Sequence, residues 1–259
     1  MFFNDQLNNG IELSDFPKRI ISIVPSQSEL LWDLGLRSEL VGITKFCIHP
    51  KEMYHTITRV GGTKTLNIPK IRALKPDIII GNKEENEHSQ IIELQKEFKV
   101  WMSDIYTLSD SLNMIEKIGE LVNKNQEAID VSKIIKKEFD NLKSIDKTVL
   151  YFIWKNPYMV AGKATFIGHI LNRMGLKNCI EDINGRYPQL NIDEIQLLKP
   201  EIIFLSSEPY PFKNKHLREL EILLPNTKII IVDGELFSWY GSRLINSVRY
   251  FNELIQKFS

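Results

Sequence analysis

A chain of 259 residues with 43% hydrophobic and 25% charged residues can bury the core of one large domain or of two lobes, and it lies outside the disordered class. Lys plus Arg and Asp plus Glu both number 33, so no net field exists to hold a nucleic acid or an acidic membrane surface. Cys47 and Cys179 are far apart and form no CxxC pair, which excludes a disulfide framework and a zinc ribbon, and no run approaches the roughly 18 apolar residues of a membrane-spanning helix.

In chain order, Arg19–Val24 reads as a buried strand, followed by a helix that ends at Leu34-Gly35-Leu36, where glycine permits a left-handed cap. Gly61-Gly62 reads as a sharp turn expected to bring Thr63, Lys64 and Thr65 over a ligand cleft. Ile71–Ile80 is a short helix, a Lys-Pro break and a strand. Proline ends the helix because it lacks an N–H, and the β-branched run after it suits a strand covered on both faces. Lys99–Asp104 is a further strand ending in an acid.

From about Ser109 to Leu142 the pattern is helical, with Leu112, Ile115, Ile118, Leu121 and Val122 on one stripe and Ile129, Ile134, Ile135 and Leu142 continuing it. The stretch holds no proline and only Gly119, so it is expected to be stiff, with Asn125 able to cap its second part. The order of elements then recurs. Thr148–Trp154 and a helix ending at Met174-Gly175-Leu176 parallel the opening, Ile195–Phe204 parallels Ile71–Ile80, and Lys228–Asp233 parallels Lys99–Asp104.

Strands alternating with helices imply parallel pairing through right-handed crossovers. The expected fold is therefore α/β, with two Rossmann-like lobes of parallel or mixed sheet joined by a single long rigid helix. The expected boundaries are 1–120 for the first lobe, 121–145 for the connecting helix and 146–259 for the second lobe.

Ligands of open α/β sheets settle outside the carboxyl ends of the strands. The strand ends of the first half deliver Ser26, then Phe46, Cys47 and His49, then Asn82 and Glu85. Those of the second half deliver Trp154 and Tyr158, then Tyr210, then Phe237, Trp239, Tyr240 and Arg243. Flat rings on strand-end loops suit a bulky planar or macrocyclic ligand, although such a ring often packs as a lid over its own lobe, and Trp154 ends an apolar strand. Cys47-x-His49 offers a thiolate and an imidazole to one metal; the alternative is a buried thiol beside a hydrogen-bonding histidine. His88 and His216 follow charged residues and are expected to face solvent. The chain has no GxGxxG, GxxxxGK[ST], HExxH or GxSxG motif, which argues against an enzyme.

From about Lys18 to Phe251 the sequence resembles the helical-backbone metal receptor superfamily, the substrate-binding proteins of ABC importers for cobalamin, haem and iron-siderophore chelates. The likeness rests on Pro17–Ser22, Pro25-Ser26 with Glu29, Leu34-Gly35-Leu36, Val41–Thr44, the two Lys-Pro-acid strands and Ala161–Ile167. It implies a rigid interlobe helix and a chelate held between the lobes, a corrinoid first and haem or a ferric siderophore next. The implied wall is Phe46, Thr63, Lys64, Asn82, Trp154, Tyr158 and the segment from Phe237 to Arg243. No tightly bound cofactor of its own is expected, and the partners implied are the chelate and an ABC permease, with the protein a monomer.

Pro69 and Lys70 stand where such proteins carry an acidic docking residue in the first lobe, whereas Asp193 and Glu194 fill the equivalent place in the second. The resemblance implies a periplasmic or cell-surface address, while the N-terminus as written shows no export signal, which would suit a cytoplasmic protein. The competing readings are a two-lobed metallocluster enzyme with Cys47 and His49 as ligands and a cytoplasmic corrinoid sensor or chaperone.

Overall fold

The fold was taken from a computed structural model, which describes residues 1–180 and 185–258. The chain divides into two compact units, the first formed by Met1–Ile105, Ser109–Lys137 and Tyr240–Ile245, the second by Tyr106–Leu108, Glu138–Trp239 and Asn246–Ser259.

The first unit opens with an antiparallel hairpin of β1 (Phe2–Asn4) and β2 (Gly10–Glu12). Then follow β3 (Ile20–Ser22), α1 (Pro25–Asp33), β4 (Leu40–Ile43), α2 (Lys51–Thr56), β5 (Thr58–Arg59), α3 (Ile68–Leu74), β6 (Ile78–Asn82), α4 (His88–Gln95) and β7 (Val100–Ser103). The last five strands make one parallel sheet in the order β5-β4-β3-β6-β7. Every residue of β3, β6 and β7 is buried, as the unbroken apolar runs require when helices cover both faces. Strand order reverses beside β3, so the loops leaving β3 and β6 flank the switch point where ligands of such sheets gather.

The helical stretch expected from Ser109 to Leu142 is interrupted once, and its second part lies within 121–145, the bounds expected for the connecting helix. It is two helices, α5 (Leu108–Leu121) and α6 (Asn125–Asp140). Between them Asn123 takes φ 57°. Its N–H bonds the Glu120 carbonyl at 3.4 Å and the Lys124 N–H bonds the Gly119 carbonyl at 2.7 Å, the paired bonds of a Schellman stop. A Cβ built on Gly119 would lie 2.3 Å from that of Ala128. Nine residues along one straight helix span about 13 Å, so α6 turns back onto α5 at this glycine. Asparagine is the residue besides glycine best able to occupy the left-handed region, which is why the stop falls there without a glycine or proline to announce it.

The second unit contains β8 (Lys147–Trp154), β9 (Tyr158–Val160), α7 (Phe166–Arg173), β10 (Leu176–Asn178), β11 (Gln189–Leu190), α8 (Ile192–Leu198), β12 (Ile202–Ser206), α9 (Asn214–Leu223), β13 (Lys228–Val232), α10 (Gly234–Ser238) and, from Asn246 onward, α11 (Leu244–Ile255). Its mixed sheet runs β11-β9-β8-β12-β13, with β10 also on β8; β8, β10, β12 and β13 are parallel, β9 pairs antiparallel with β8, and β11 pairs antiparallel with β9. Leu150, Phe152, Ile203 and Leu205 enter one core cluster, while the alternate residues Tyr151 and Phe204 meet Phe237 on the opposite face.

The duplication reaches the backbone angles. Lys75 and Lys199, each before the proline of its repeat, both take φ 45°, and Gly35 and Gly175 take φ 85° and 74° as the helix-ending glycines were expected to do. None of the described helices is long and apolar enough to cross a membrane.

Candidate ligand-binding surfaces at the strand ends

In the first unit, the loop after β6 is built on Asn86. Its Oδ1 accepts the Asn82 N–H at 2.8 Å, and its Nδ2 donates to the carbonyls of Ile23 at 3.0 Å and Thr63 at 3.1 Å. One buried amide thus ties the ends of β3 and β6 to the Gly61-Gly62 turn. Gly61 takes φ 110° and leaves no room for a side chain beside the Thr65 carbonyl, as that turn demands.

Asn82, expected on a ligand wall, is spent internally. Its Oδ1 accepts the N–H groups of Glu84 and Glu85 at 2.8 and 3.0 Å, and its Nδ2 donates to Ser103 Oγ at 2.9 Å. An amide placed to nucleate an Asx turn is held by its own backbone before any ligand arrives. Lys64 lies across this loop, its Nζ donating to the Glu84 carbonyl at 2.5 Å, while Glu85 and Thr63 are half-buried beside it.

Cys47 is fully buried. Its thiol donates to Ser28 Oγ at 3.1 Å and its sulfur lies 3.2 Å from Thr44 Oγ1. Burial pushes its pKa up, outweighing the opposite effect of its hydrogen bonds with Ser28 and Thr44, so the thiolate a metal needs is disfavoured. His49 is half-buried, and no group of three or more metal-ligating side chains assembles among the described residues. Phe46, by contrast, is 49% exposed, standing on Gly62 with the Lys45 ammonium 5.1 Å from its ring. Ser26 is buried in the first turn of α1, and among the described residues its hydroxyl finds no partner.

In the second unit, the end of β8 and the loop after β12 bring the expected rings Trp154, Tyr158 and Tyr210 into one aromatic cluster. Trp154 is 40% exposed and meets Tyr210 edge-on, with centroids 5.5 Å apart. Tyr210 continues to Phe212 at 4.8 Å and to His216 at 5.4 Å, and Tyr158 packs on Phe152 at 5.4 Å. Lys155 pairs with Glu219 below the rings. Burial works to lower its pKa, yet the Glu219 bond leaves it raised, so the ammonium persists there. Burial also raises the Tyr158 hydroxyl.

His216 corrects the expectation of a solvent-facing side chain, being 6% exposed. Its Nδ1 accepts the Lys213 N–H at 3.1 Å, closing the first turn of α9. Sequence reasoning missed it because the flanking lysines disguise the inward turn of a short helix.

The segment from Phe237 to Arg243, expected on the ligand wall, is buried or half-buried in the structure. Phe237 is fully buried among Tyr151, Phe204 and Phe251. Trp239 is 6% exposed and its indole N–H donates to Glu208 Oε1 at 3.0 Å. Ser238 Oγ reaches the same oxygen at 2.9 Å. Burial raises the pKa of Glu208, with Glu235 and Asp233 adding to the effect against the two donors. Tyr240 is buried, its carbonyl taking the Ser111 hydroxyl at 3.0 Å. Arg243 clamps Glu29 through two hydrogen bonds of 2.9 and 2.7 Å. A short polar and aromatic run after a strand looks alike whether it faces ligand or locks into a unit, and here the apolar faces of Phe237 and Trp239 found partners inside the protein.

Asp193 and Glu194 sit exposed in the first turn of α8, where Glu194 closes a capping box with Asn191.

A family model described as periplasmic binding protein matches residues 20–223. The chain belongs to the periplasmic binding protein family. This member is 27% identical to the uncharacterized ABC transporter substrate-binding lipoprotein YvrC of Bacillus subtilis, over 97% of this chain and 84% of that one. It is 25% identical to the vitamin B12-binding protein of Vibrio cholerae, over 78% of this chain and 75% of the relative. Among solved structures, the periplasmic heme-binding protein RhuT from Roseiflexus sp. RS-1 superposes with a TM-score of 0.80 at 16% identity, covering 93% of this chain and 97% of that chain. At that identity the likeness is one of fold.

Proposed function

We propose that this periplasmic binding protein is the substrate-binding component of an ABC importer, with a bulky metal chelate as cargo, a corrinoid first and haem or a ferric siderophore next. The observation that carries the reading is the exposed edge of the Trp154–Tyr210 cluster at the carboxyl end of β8, in a family whose members bind and deliver small molecules. An aromatic edge held rigid by its neighbours offers contact area to a macrocycle at low entropic cost. The B12-binding relatives favour a corrinoid among the chelates, and exposed Phe46 gives the first unit a ring at its own strand ends. The relatives support a role outside the cytoplasm, and the exposed acids Asp193 and Glu194 are the surface we assign to a permease.

The metallocluster-enzyme alternative loses support, since the sulfur of Cys47 is buried among hydroxyls. The test is calorimetric titration with cyanocobalamin, hemin and a ferric hydroxamate siderophore. Binding of one class with a Kd in the micromolar range or below is expected; failure of all three below about 100 μM would overturn the reading.

A further inference from the structure

The aromatic cluster of the second unit rests on an imidazole whose hydrogen bonds are determined by its place in α9. His216 is the third residue of that helix, and its Nδ1 accepts the Lys213 N–H at 3.1 Å. An acceptor at Nδ1 puts the proton of the neutral ring on Nε2, which lies 3.4 Å from the Tyr210 hydroxyl. The ring also packs against Phe212 at 5.7 Å. Tyr210 in turn supports Trp154, and its own N–H reaches the Ile153 carbonyl of β8 at 3.4 Å. The chain of contact runs from the cap of α9 through His216 and Tyr210 to the exposed indole.

We propose that His216 is a positioning residue of this surface: its Nε2–H and ring hold Tyr210, and through Tyr210 the edge of Trp154, so that protonation of the imidazole loosens the rings and weakens chelate binding. The inference rests on the reading of these rings as the ligand surface. A proton added at Nδ1 would point at the Lys213 N–H, two donors facing one another, and the first turn of α9 would have to open.

The groups facing the ring are Lys155 from the turn between β8 and β9, the Tyr210 hydroxyl, Lys213 before α9, and Lys215 and Glu219 within it, with Tyr158 of β9 beyond Lys155. Three ammonium groups thus stand against one carboxylate, and Lys155 already holds that carboxylate. Burial first, then Lys155 and Lys215, press the pKa of His216 below the ordinary histidine value. The folded protein therefore binds fewer protons here than the unfolded chain. The stability due to neutral His216 is complete above the unfolded value and is lost as pH falls through the folded one.

The experiment uses the full chain and two variants. His216→Asn places an amide oxygen near the position of Nδ1, keeping the cap while removing Nε2, and His216→Ala removes both. Acrylamide quenching of the indole, with Trp154→Phe identifying its share, reads ring order without any ligand between about pH 8 and about pH 5. Cyanocobalamin and hemin titrations over the same range read affinity. Wild type is expected to show Trp154 quenching that rises in acid and affinity that falls about tenfold, whereas His216→Asn has raised quenching and a Kd weaker by threefold or more at every pH, with a flattened profile. Quenching of Trp154 that is indifferent to acid and to both substitutions would overturn the proposal, as would an affinity profile of His216→Asn parallel to that of wild type. Should neither probe bind wild type, the cargo assignment fails by itself, and the quenching still decides whether His216 orders the rings.

Discussion

Replacing Gly119 with alanine sets two effects of opposite sign against each other. In the interior of an ordinary helix the change stabilises by about 0.8–1.0 kcal/mol, because alanine forgoes the backbone freedom that glycine must lose. Here the new methyl would lie 2.3 Å from Ala128 Cβ and 2.9 Å from the Lys124 carbonyl oxygen. Carbon atoms pack at about 3.5–4.0 Å, so α5 and α6 must separate by an ångström or more at their closest approach. Overpacking of that kind costs about 1–3 kcal/mol, and loss of the Lys124 to Gly119 bond adds about 1 kcal/mol. Steric strain wins, and a net destabilisation of about 1–3 kcal/mol is expected. In urea unfolding followed by far-UV circular dichroism it would appear as a lower midpoint at unchanged slope, and in thermal unfolding as a Tm lower by about 2–4 °C per kcal/mol. In the double variant with Ala128→Gly the two substitutions should couple favourably by more than about 0.5 kcal/mol. A higher midpoint for Gly119→Ala alone would mean that 108–140 forms one uninterrupted helix and that the reasoning is wrong.

Three further outcomes are expected. Trp239→Ala should lower stability by about 3–5 kcal/mol because the ring is buried and Glu208 loses a donor, whereas Trp154→Ala should change Tm little and weaken chelate affinity; calorimetry of both variants reads the contrast. Cys47 should resist Ellman's reagent in the folded protein and react only on unfolding, with half-buried Cys179 labelled first; mass spectrometry of the adducts locates the label, and prompt labelling of Cys47 would contradict its burial. Glu208→Gln should stabilise at about pH 8, since the raised pKa makes the ionised form costly while the amide oxygen can still accept from Ser238 and Trp239. The advantage should vanish below the ordinary carboxylate range of about pH 4, where the wild-type side chain is protonated in both states; pH-dependent melting checks the crossing.

The repeated pattern of helix, Lys-Pro and strand was legible from residue types because it depends on local chemistry. Proline cannot continue a helix, β-branched runs favour buried strands, and the same solution occurs at Lys75 and Lys199 with the same backbone angle. The interruption at Asn123 was not legible. The apolar stripe of α5 and α6 continues across it, and the turn shows only in the tertiary structure, in the left-handed Asn123 and the close approach of Gly119 to Ala128. Residue type and loop position named Trp154, Tyr158 and Tyr210 as candidates, and the structure brings these three rings into one aromatic cluster. They could not separate those rings from Phe237, Trp239 and Tyr240, which have the same chemistry in the same kind of loop.

What the sequence by itself determined is therefore the α/β class, the duplication and the set of strand ends on which chemistry could sit, since each follows from periodicity and the preferences of single residues. Which of those side chains stay exposed was decided by tertiary structure. An aromatic or polar group is withdrawn from solvent when a distant partner such as Glu29 for Arg243, Glu208 for Trp239 or Ser28 for Cys47 satisfies it better than water does.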